Sequence, residues 1–336
     1  MAKKVTLQMI ADDLGYSKSL VSLALADYKY VHTETKSKVF LKAMQLGYDF
    51  KRKINRSLKF TLVFSTFTDL DKPYWSEVVT GLTARLEELK VGFEIAKYDK
   101  LMPQYEFLSN LIKRKNSGII VVAACDDEDV RILSQPRLPI LLLDTNKTYT
   151  TKCDVLMSSN YFSSFEAAGY LYGKGHRHIA FAGSVDASIS FRQRYNGFCD
   201  FFKVHGGGCK IVPLINKGDD QFGIVNSKDV AECLKSGERP TAFFCANDPV
   251  AIRVFEIAQE IDLKIPDDIS VVGYDGISSD HPFMKILTTF YTDRHAMGRT
   301  AADMILKRYN EPCGLPVKVE VPSVLKEGGS VKDISI

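Results

Sequence analysis

From residue 60 onward, short apolar segments alternate with amphipathic ones, and this alternation constrains the possible fold more than any other feature of the sequence. The apolar segments have the length of β-strands, and the amphipathic segments have the residue spacing of surface helices. Strands that alternate with helices form parallel sheets covered by helices on both faces. The predicted strands are 60–64, 93–96, 118–122, 140–143, 178–182, 211–214, 242–245 and 269–272, and the predicted helices are 75–89, 103–114, 161–172, 191–204, 229–234 and 249–261.

The region that begins at residue 60 is too long for one open sheet, because it comprises more than 250 of the 336 residues. The sequence therefore predicts an α/β fold whose core has two doubly wound lobes. Ligands of such sheets bind beyond the carboxyl ends of the strands, so we expect a ligand site in a cleft between the lobes.

The amino-terminal region differs from the rest of the chain in its charge. Residues 1–59 contain 12 Lys and Arg against 5 Asp and Glu, whereas the remainder contains 32 basic and 36 acidic residues. A small basic head on a slightly acidic body favours a polyanionic partner for the head, although a merely solvated basic segment would have the same charge.

The spacing of apolar residues in this head predicts three short helices. The first covers 7–14 with Thr6 as its cap, and Gly15 supplies the left-handed residue of a sharp turn. Ser17 caps the second helix, 18–26. A third helix, about 33–45, contributes the side chains that cover the other two, and these are Val39, Phe40, Ala43 and Leu46. The pattern is that of a helix-turn-helix, and the alternative is a plain three-helix cap.

Several classes of protein are disfavoured by what the sequence lacks. The seven cysteines form no Cys-x-x-Cys pair or zinc-type spacing, and no apolar stretch approaches the length of a membrane span. The first residues contain no apolar signal core, so we expect a reducing cytoplasm and no membrane association. No nucleophile or metalloprotease motif is present, and His176-Arg177-His178 stands at a turn into a strand. We therefore expect neither an enzyme, nor a metal, nor a cofactor.

Four motifs of the head stand in a fixed order: Val-Thr-Leu-Gln-Met-Ile-Ala at 5–11, Gly-Tyr-Ser-Lys-Ser-Leu-Val-Ser at 15–22, Thr-Lys-Ser-Lys-Val at 35–39 and Leu-Gly-Tyr at 46–48. Together they resemble the headpiece of the lac-repressor/galactose-repressor family of bacterial regulators. The resemblance implies that the second helix enters the major groove of operator DNA. The resulting DNA-contact candidates are Thr6, Ser17, Lys18, Ser19, Ser22 and Leu23, and Leu23 stands where the family very often has Arg.

The sequence departs from this family after Tyr48. The family places a proline-containing hinge helix there, but residues 49–58 contain no proline and the connection is short. We expect an abbreviated or absent hinge helix, with basic side chains as DNA-backbone contacts at Lys51, Arg52, Lys53 and Arg56. Ile54 and Leu58 are candidate minor-groove wedges, and Leu58 is equally a candidate for the start of the first core strand. The predicted domains are 1–58 and 59–336.

The core contains a second ordered set of motifs: Gly-His-Arg-His-Ile-Ala-Phe-Ala-Gly at 175–183, Arg-Tyr-Asn-Gly-Phe at 194–198, Ala-Asn-Asp at 246–248, the segment 265–275, Leu-Thr-Thr at 287–289 and Met-Gly at 297–298. This set resembles the same family. It implies a periplasmic-binding-protein-like core whose lobes exchange strands. The first lobe would comprise 60–173 and 288–315, and the second 174–287 and 316–336.

The resemblance also implies a small-molecule effector, expected to be a sugar or sugar derivative. Arg194 is a cationic fork suited to paired hydroxyls, and Asp275 and Asn247 have acceptors and donors for hydroxyl groups. Tyr74 and Trp75 would stack on a flat or apolar ligand face. The other candidates are Ser159, Ser190 and Asp220; Ser159 stands where many relatives have an acidic residue, and Asp220 where several have an aromatic one.

Each of these side chains also has a structural interpretation. Asp275 would cap a loop, Arg194 would form a surface salt bridge, and Trp75 would lie in the core.

The sequence thus predicts a homodimeric, effector-controlled repressor that binds operator DNA. Two alternatives remain open: a sugar-binding protein on the same core, and a regulator controlled by a partner protein. A third, an enzyme on a doubly wound core, is disfavoured because assembled nucleophile and base motifs are absent.

Overall fold

The computed structural model describes residues 5–25, 28, 30–48, 58–65, 73–98, 104–113, 116–123, 127–134, 138–144, 153–186, 188–205, 210–214 and 226–335. In the described parts of the chain, no helix has both the length and the apolar character needed to cross a bilayer.

Three helices form the head: α1 (Leu7–Leu14), α2 (Lys18–Leu25) and α3 (Thr33–Leu46). The Thr6 hydroxyl accepts a hydrogen bond from the Met9 amide at 3.3 Å, and the Ser17 hydroxyl accepts one from the Leu20 amide at 3.1 Å. Gly15 has φ 66°, a left-handed conformation that lets the chain turn sharply between α1 and α2. The predicted helices, both caps and the turn are confirmed.

The third helix has two apolar stripes that face different neighbours. Val39 and Ala43 join the core of the head, whereas Phe40 and Met44 belong to the apolar cluster of the first sheet and its helices. The prediction that Phe40 covers α1 and α2 is therefore wrong, because α3 also packs against the core helix 104–113.

The first sheet has six strands in the order β11-β5-β4-β3-β1-β2, and the pairs β2-β1, β1-β3 and β3-β4 are parallel. β3 and β4 are buried over their whole length, as expected for strands with helices on both faces. The strands are β1 (Lys59–Ser65), β2 (Gly92–Tyr98), β3 (Gly118–Val122), β4 (Ile140–Leu143), β5 (Asp154–Ser158) and β11 (Lys318–Val321), and the helices between them include α4 (Pro73–Glu88), α5 (Gln104–Lys113) and α6 (Asp127–Leu133).

The second sheet also has six strands, in the order β12-β10-β9-β8-β6-β7. All neighbours are parallel except β12, which runs antiparallel to β10. The strands are β6 (His178–Ala182), β7 (Lys210–Leu214), β8 (Ala242–Cys245), β9 (Ser270–Asp275), β10 (Thr288–Thr292) and β12 (Ser323–Lys326), and the helices are α7 (Asn160–Gly173), α8 (Ile189–His205), α9 (Ser227–Lys235), α10 (Asp248–Glu260) and α11 (Arg294–Asn310).

Two sheets built mainly from parallel strand pairs, with intervening helices, confirm the predicted α/β class. Leu58 directly precedes β1, and its carbonyl accepts a hydrogen bond from the Gly92 amide at 2.8 Å. Of its two sequence interpretations, this contact favours the start of the first core strand. The segment with Lys51, Arg52, Lys53, Ile54 and Arg56 lies outside the described residues.

The chain divides into two compact units. Unit 1 comprises 1–68, 83–155 and 299–317, and unit 2 comprises 69–82, 156–298 and 318–336. The sequence-based division assigned 156–173 and 288–298 to the first lobe, whereas both segments fall in unit 2 here. The helices α4 and α11 each contribute to both units.

Within unit 2, α4 and α11 approach each other through two glycines. A Cβ atom on Gly81 would lie 2.1 Å from the His295 carbonyl oxygen, and one on Gly298 would lie 2.0 Å from the Val78 carbonyl oxygen. Within unit 1, the continuations of the same helices are joined by ion pairs, Arg85 with Asp303 and Arg299 with Glu88. The close backbone packing explains why glycine stands at these helical positions.

We expect Gly298→Ala to destabilise the protein by about 2 kcal/mol or more, because the new methyl group would overlap a carbonyl oxygen. In an open helix the same change stabilises by about 0.5–1 kcal/mol. Gly173→Ala, where a Cβ would meet nothing within 4 Å, is the matched control. The thermal unfolding midpoints of both variants test the close approach of α4 and α11. Equal midpoints for the two variants would contradict it.

Candidate functional site

The strongest polar constellation of unit 2 centres on Arg194 of α8, whose side chain is only 3% exposed. Its Nε donates to Asn160 Oδ1 at 2.8 Å and its Nη1 donates to the Ala246 carbonyl at 2.6 Å. Its Nη2 lies 2.9 Å from Asp275 Oδ1, and its guanidinium stands 3.7 Å above the ring of Tyr274. Arg194 is thus a buried, paired cation, and its interpretation as a surface salt bridge is wrong.

Asp275 ends β9 in a conformation that is rare for a residue with a side chain. Its φ is 97°, and the following Gly276 has φ 64°. This reversal directs the buried carboxylate to Arg194. The ion pair with Arg194 does not have the geometry of a hydrogen bond at Oδ1, so that oxygen retains accepting capacity at the end of the strand.

A second carboxylate, Asp248, also supports the chain reversal at Asp275 and Gly276 through hydrogen bonds. Its Oδ1 accepts from the Thr289 hydroxyl at 2.6 Å, and its Oδ2 accepts from the Ile277 amide at 2.8 Å. A Cβ on Gly273 would lie 2.3 Å from Oδ1, so glycine is required beside this carboxylate. Burial, and then the charge of Asp275, raise the pKa of Asp248 to about 7.

The sequence prediction missed Arg294, which opens α11 and is 1% exposed. Its Nε donates to Glu77 Oε2 at 2.9 Å and its Nη2 donates to the Gly276 carbonyl at 2.9 Å, while its Nη1 donates to the Asp275 carbonyl. Asn160 and Asp248 were also missed. From sequence alone, an arginine at the start of an amphipathic helix is predicted to be a surface residue. Its burial becomes evident only from partners that are distant in the sequence.

The remaining candidates occupy different positions in unit 2. Asn247 caps α10, because its Oδ1 accepts from the Val250 amide at 3.0 Å. Its acceptor oxygen is therefore engaged in the helix cap. Ser190 is buried on α8, one helical turn before Arg194, and shares its face of the helix. Asp220 lies outside the described residues.

Tyr74 and Trp75 open α4, and both are half-buried. Their rings meet edge to face with centroids 5.0 Å apart, and the Tyr74 hydroxyl lies 3.4 Å from that of Ser158. The neighbouring Ser159 donates to Glu320 Oε2 at 3.2 Å. An acidic group therefore stands beside Ser159, although it comes from β11 rather than from position 159.

In the head, the predicted contact residues of α2 share one solvent-facing side. Lys18, Ser19, Ser22 and Leu23 are all exposed, and Leu23 is 42% exposed despite its apolar side chain. The opposite face of α2 buries Val21 and Ala24. The helix thus has the polarity that a groove-binding helix needs.

His176, the first of the two histidines noted in the sequence, has two polar neighbours. His176 Nδ1 lies 2.9 Å from the Thr241 hydroxyl, and its Nε2 lies 3.2 Å from the Lys332 carbonyl. Among the described residues, no cluster of His, Cys, Asp and Glu side chains could hold a metal ion.

The chain is similar to several known transcriptional regulators. A family described as periplasmic binding protein-like domain matches residues 168–331. The HTH-type transcriptional repressor PurR of Mannheimia succiniciproducens is 25% identical over 343 residues, which cover 98% of this chain and 99% of the relative.

Two solved structures share the fold. A lac repressor dimer bound to operator and the anti-inducer ONPF superposes with a TM-score of 0.70 at 23% identity, covering 98% of this chain and all of that one. The transcriptional regulator CelR in complex with cellobiose has a TM-score of 0.69 at 20% identity, covering 97% of this chain and all of that one. At these identities the likeness concerns the fold.

The raised pKa of Asp248 makes a prediction about stability. Between its usual 3.8 and about 7, the folded protein retains a proton that the unfolded chain has released, so stability falls as pH rises through this window. The slope for one proton is at most about 1.4 kcal/mol per pH unit. Asp248→Asn should remove this slope, so the wild-type melting midpoint should fall relative to that of the variant between about pH 4 and 7 and run parallel to it above that range.

The exposed Asp229, in the first turn of α9, provides the control. Asp229→Asn should leave the wild-type pH profile unchanged. Parallel pH profiles for wild type and Asp248→Asn would contradict the prediction, because they would show that the pKa of Asp248 is not raised in the folded protein.

Proposed function

We propose that this chain, which belongs to the lac-repressor/galactose-repressor family of transcriptional regulators, is a homodimeric repressor whose affinity for operator DNA is controlled by a carbohydrate effector. The observation that carries the effector part is the buried Arg194–Asp275 pair at the carboxyl end of β9.

The head supports DNA binding through both shape and charge. α2 presents Lys18, Ser19 and Ser22 to solvent, and its start is fixed by the Ser17 cap. Hydroxyl and ammonium groups at the start of such a helix contact base edges and phosphates in the major groove. Leu23 would add an apolar contact of the kind that thymine methyl groups accept.

The chemistry around Asp275 supports a polyhydroxylated effector. Asp275 Oδ1 can accept from a ligand hydroxyl, and the Arg194 fork can donate to adjacent oxygens. Tyr74 and Trp75 offer aromatic faces of the type that stack on the apolar side of a sugar ring. The CelR neighbour, solved with cellobiose, has the same fold.

A dimer follows from the way such heads read DNA. One helix-turn-helix contacts one half-site, and two-fold dimers read two half-sites at a fixed spacing. The lac repressor neighbour is a dimer on its operator. A change of half-site spacing on effector binding would couple the two ligands, and this coupling is necessarily reciprocal.

We expect DNA affinity to fall steeply with salt, and Lys18→Ala to lower the slope of log affinity against log salt by about 1, because one phosphate contact is lost. The control is Lys38→Ala, which removes the same charge from α3, where Lys38 pairs with Glu34. The measurement is anisotropy titration of an operator selected from random DNA, over about 50–200 mM salt. Equal slopes for both variants, or specific binding after deletion of 1–58, would contradict the proposal.

We expect Arg194→Ala and Asp275→Ala to weaken effector binding by about tenfold or more, equivalent to about 1.4 kcal/mol, while leaving effector-free DNA binding nearly unchanged. The effector is first sought by thermal shift with a carbohydrate panel, where a ligand at 100 times its Kd adds about 2.7 kcal/mol. Arg192→Ala is the control, since Arg192 lies on the same helix but forms an exposed pair with Asp186.

If Arg194→Ala and Asp275→Ala respond to the effector as wild type does, the assigned site is wrong. If no carbohydrate shifts the wild-type midpoint, the effector belongs to another class or the regulator responds to a partner protein.

A further inference from the structure

Two side chains hold the chain reversal at Asp275 and Gly276, one through backbone carbonyls and the other through backbone amides. The carbonyls of both residues accept from Arg294, and the amides of Gly276 and Ile277 donate to Asp248. A non-glycine residue at φ 97° is in a strained backbone conformation, which persists only where its surroundings fix it. These two side chains are the surroundings that fix Asp275.

Arg294 also joins this reversal to another element of unit 2. Its Nη2 and Nε lie 2.7 and 2.9 Å from Glu77 Oε2 on α4. The other oxygen of Glu77 accepts from the Ser278 hydroxyl at 3.0 Å, on the far side of the same reversal. Glu77 stands two residues after Trp75, in the turn of α4 that also contains Tyr74.

The guanidinium group is required by the number and direction of these acceptors. Three groups surround it: two adjacent carbonyls and one carboxylate. A planar fork can donate to all of them at once, whereas the ammonium of lysine is a point charge on a flexible stem. A buried cation with this set of partners fixes relative positions as well as neutralising charge.

We propose that Arg294 is the positioning residue of the candidate effector site: it holds the backbone of Asp275 so that the carboxylate meets Arg194, and through Glu77 it ties that carboxylate to the first turns of α4. A ligand that displaces Asp275 from Arg194 then shifts α4 through the same guanidinium. The role of Arg294 in effector binding rests on the proposed function. Its contacts with the Asp275 backbone and with Glu77 do not depend on that proposal.

The two links can be separated by hydrogen exchange and by the fluorescence of Trp75, the single tryptophan of the chain. Arg294→Gln should accelerate amide exchange at 276–278 by about tenfold or more, because the carbonyl side of the reversal is released. It should also increase acrylamide quenching of Trp75. Glu77→Ala should change the quenching of Trp75 but leave exchange at Gly276 and Ile277, whose amides donate to Asp248, within about twofold of wild type.

Arg299→Gln is the matched control, because it removes an arginine from the same helix whose partner is the exposed Glu88. It should leave both readouts unchanged. Wild-type exchange at 276–278 in Arg294→Gln overturns the positioning role, and unchanged Trp75 quenching in Glu77→Ala overturns the link to α4. If Arg294→Gln does not fold, Arg294→Lys replaces it with the same expectation, since lysine lacks the fork.

A positioning role is distinguished from a general loss of stability by two affinities. Arg294→Gln should keep the operator affinity of the effector-free protein within about twofold, and should weaken the carbohydrate found by thermal shift by about tenfold or more. Equal loss of both affinities overturns the proposal. If the wild type binds no carbohydrate, the proposed effector class fails, while the exchange and quenching results still decide the role of Arg294.

Discussion

The carboxyl end of β9 is the constraint on which the arrangement of unit 2 depends. Asp275 is left-handed, and three charged side chains hold it: Arg194 at its carboxylate, Arg294 at the carbonyls and Asp248 at the adjoining amides. These side chains begin or belong to three different helices, α8, α11 and α10. One strained residue is thereby connected to three helices, and strain of this kind concentrates where a ligand site requires a side chain in one orientation.

Close helix packing at glycine complements this polar centre. Gly81 and Gly298 bring α4 and α11 into backbone contact, and in unit 2 the same pair of helices is joined by Glu77 and Arg294. Both helices continue into unit 1, which also contains the head. The helices that carry Glu77 and Arg294 therefore belong in part to each unit.

Whether an element could be predicted from the sequence depended on how apolar its residues are. β3, β4 and β8 are uninterrupted apolar runs and were predicted to the residue. β10 was missed because it buries threonines, whose hydroxyls are satisfied by distant groups such as Asp248 and Ser323. In the site, ordered motifs indicated Arg194 and Asp275. Arg294 was not predictable, since its partner Glu77 lies 217 residues away and nothing in the local pattern marks it as buried.

The same limit explains the error at Phe40. Val39 and Ala43 form one stripe of α3, while Phe40 and Met44 form a second, rotated by about 100°. A periodicity argument assigns both stripes to one core, because it cannot identify a second partner. Here the second stripe packs against α5, so one helix belongs to the core of the head and to that of the first sheet. Side-chain packing therefore fixes the orientation of α3, and of the helices packed on it, relative to α5.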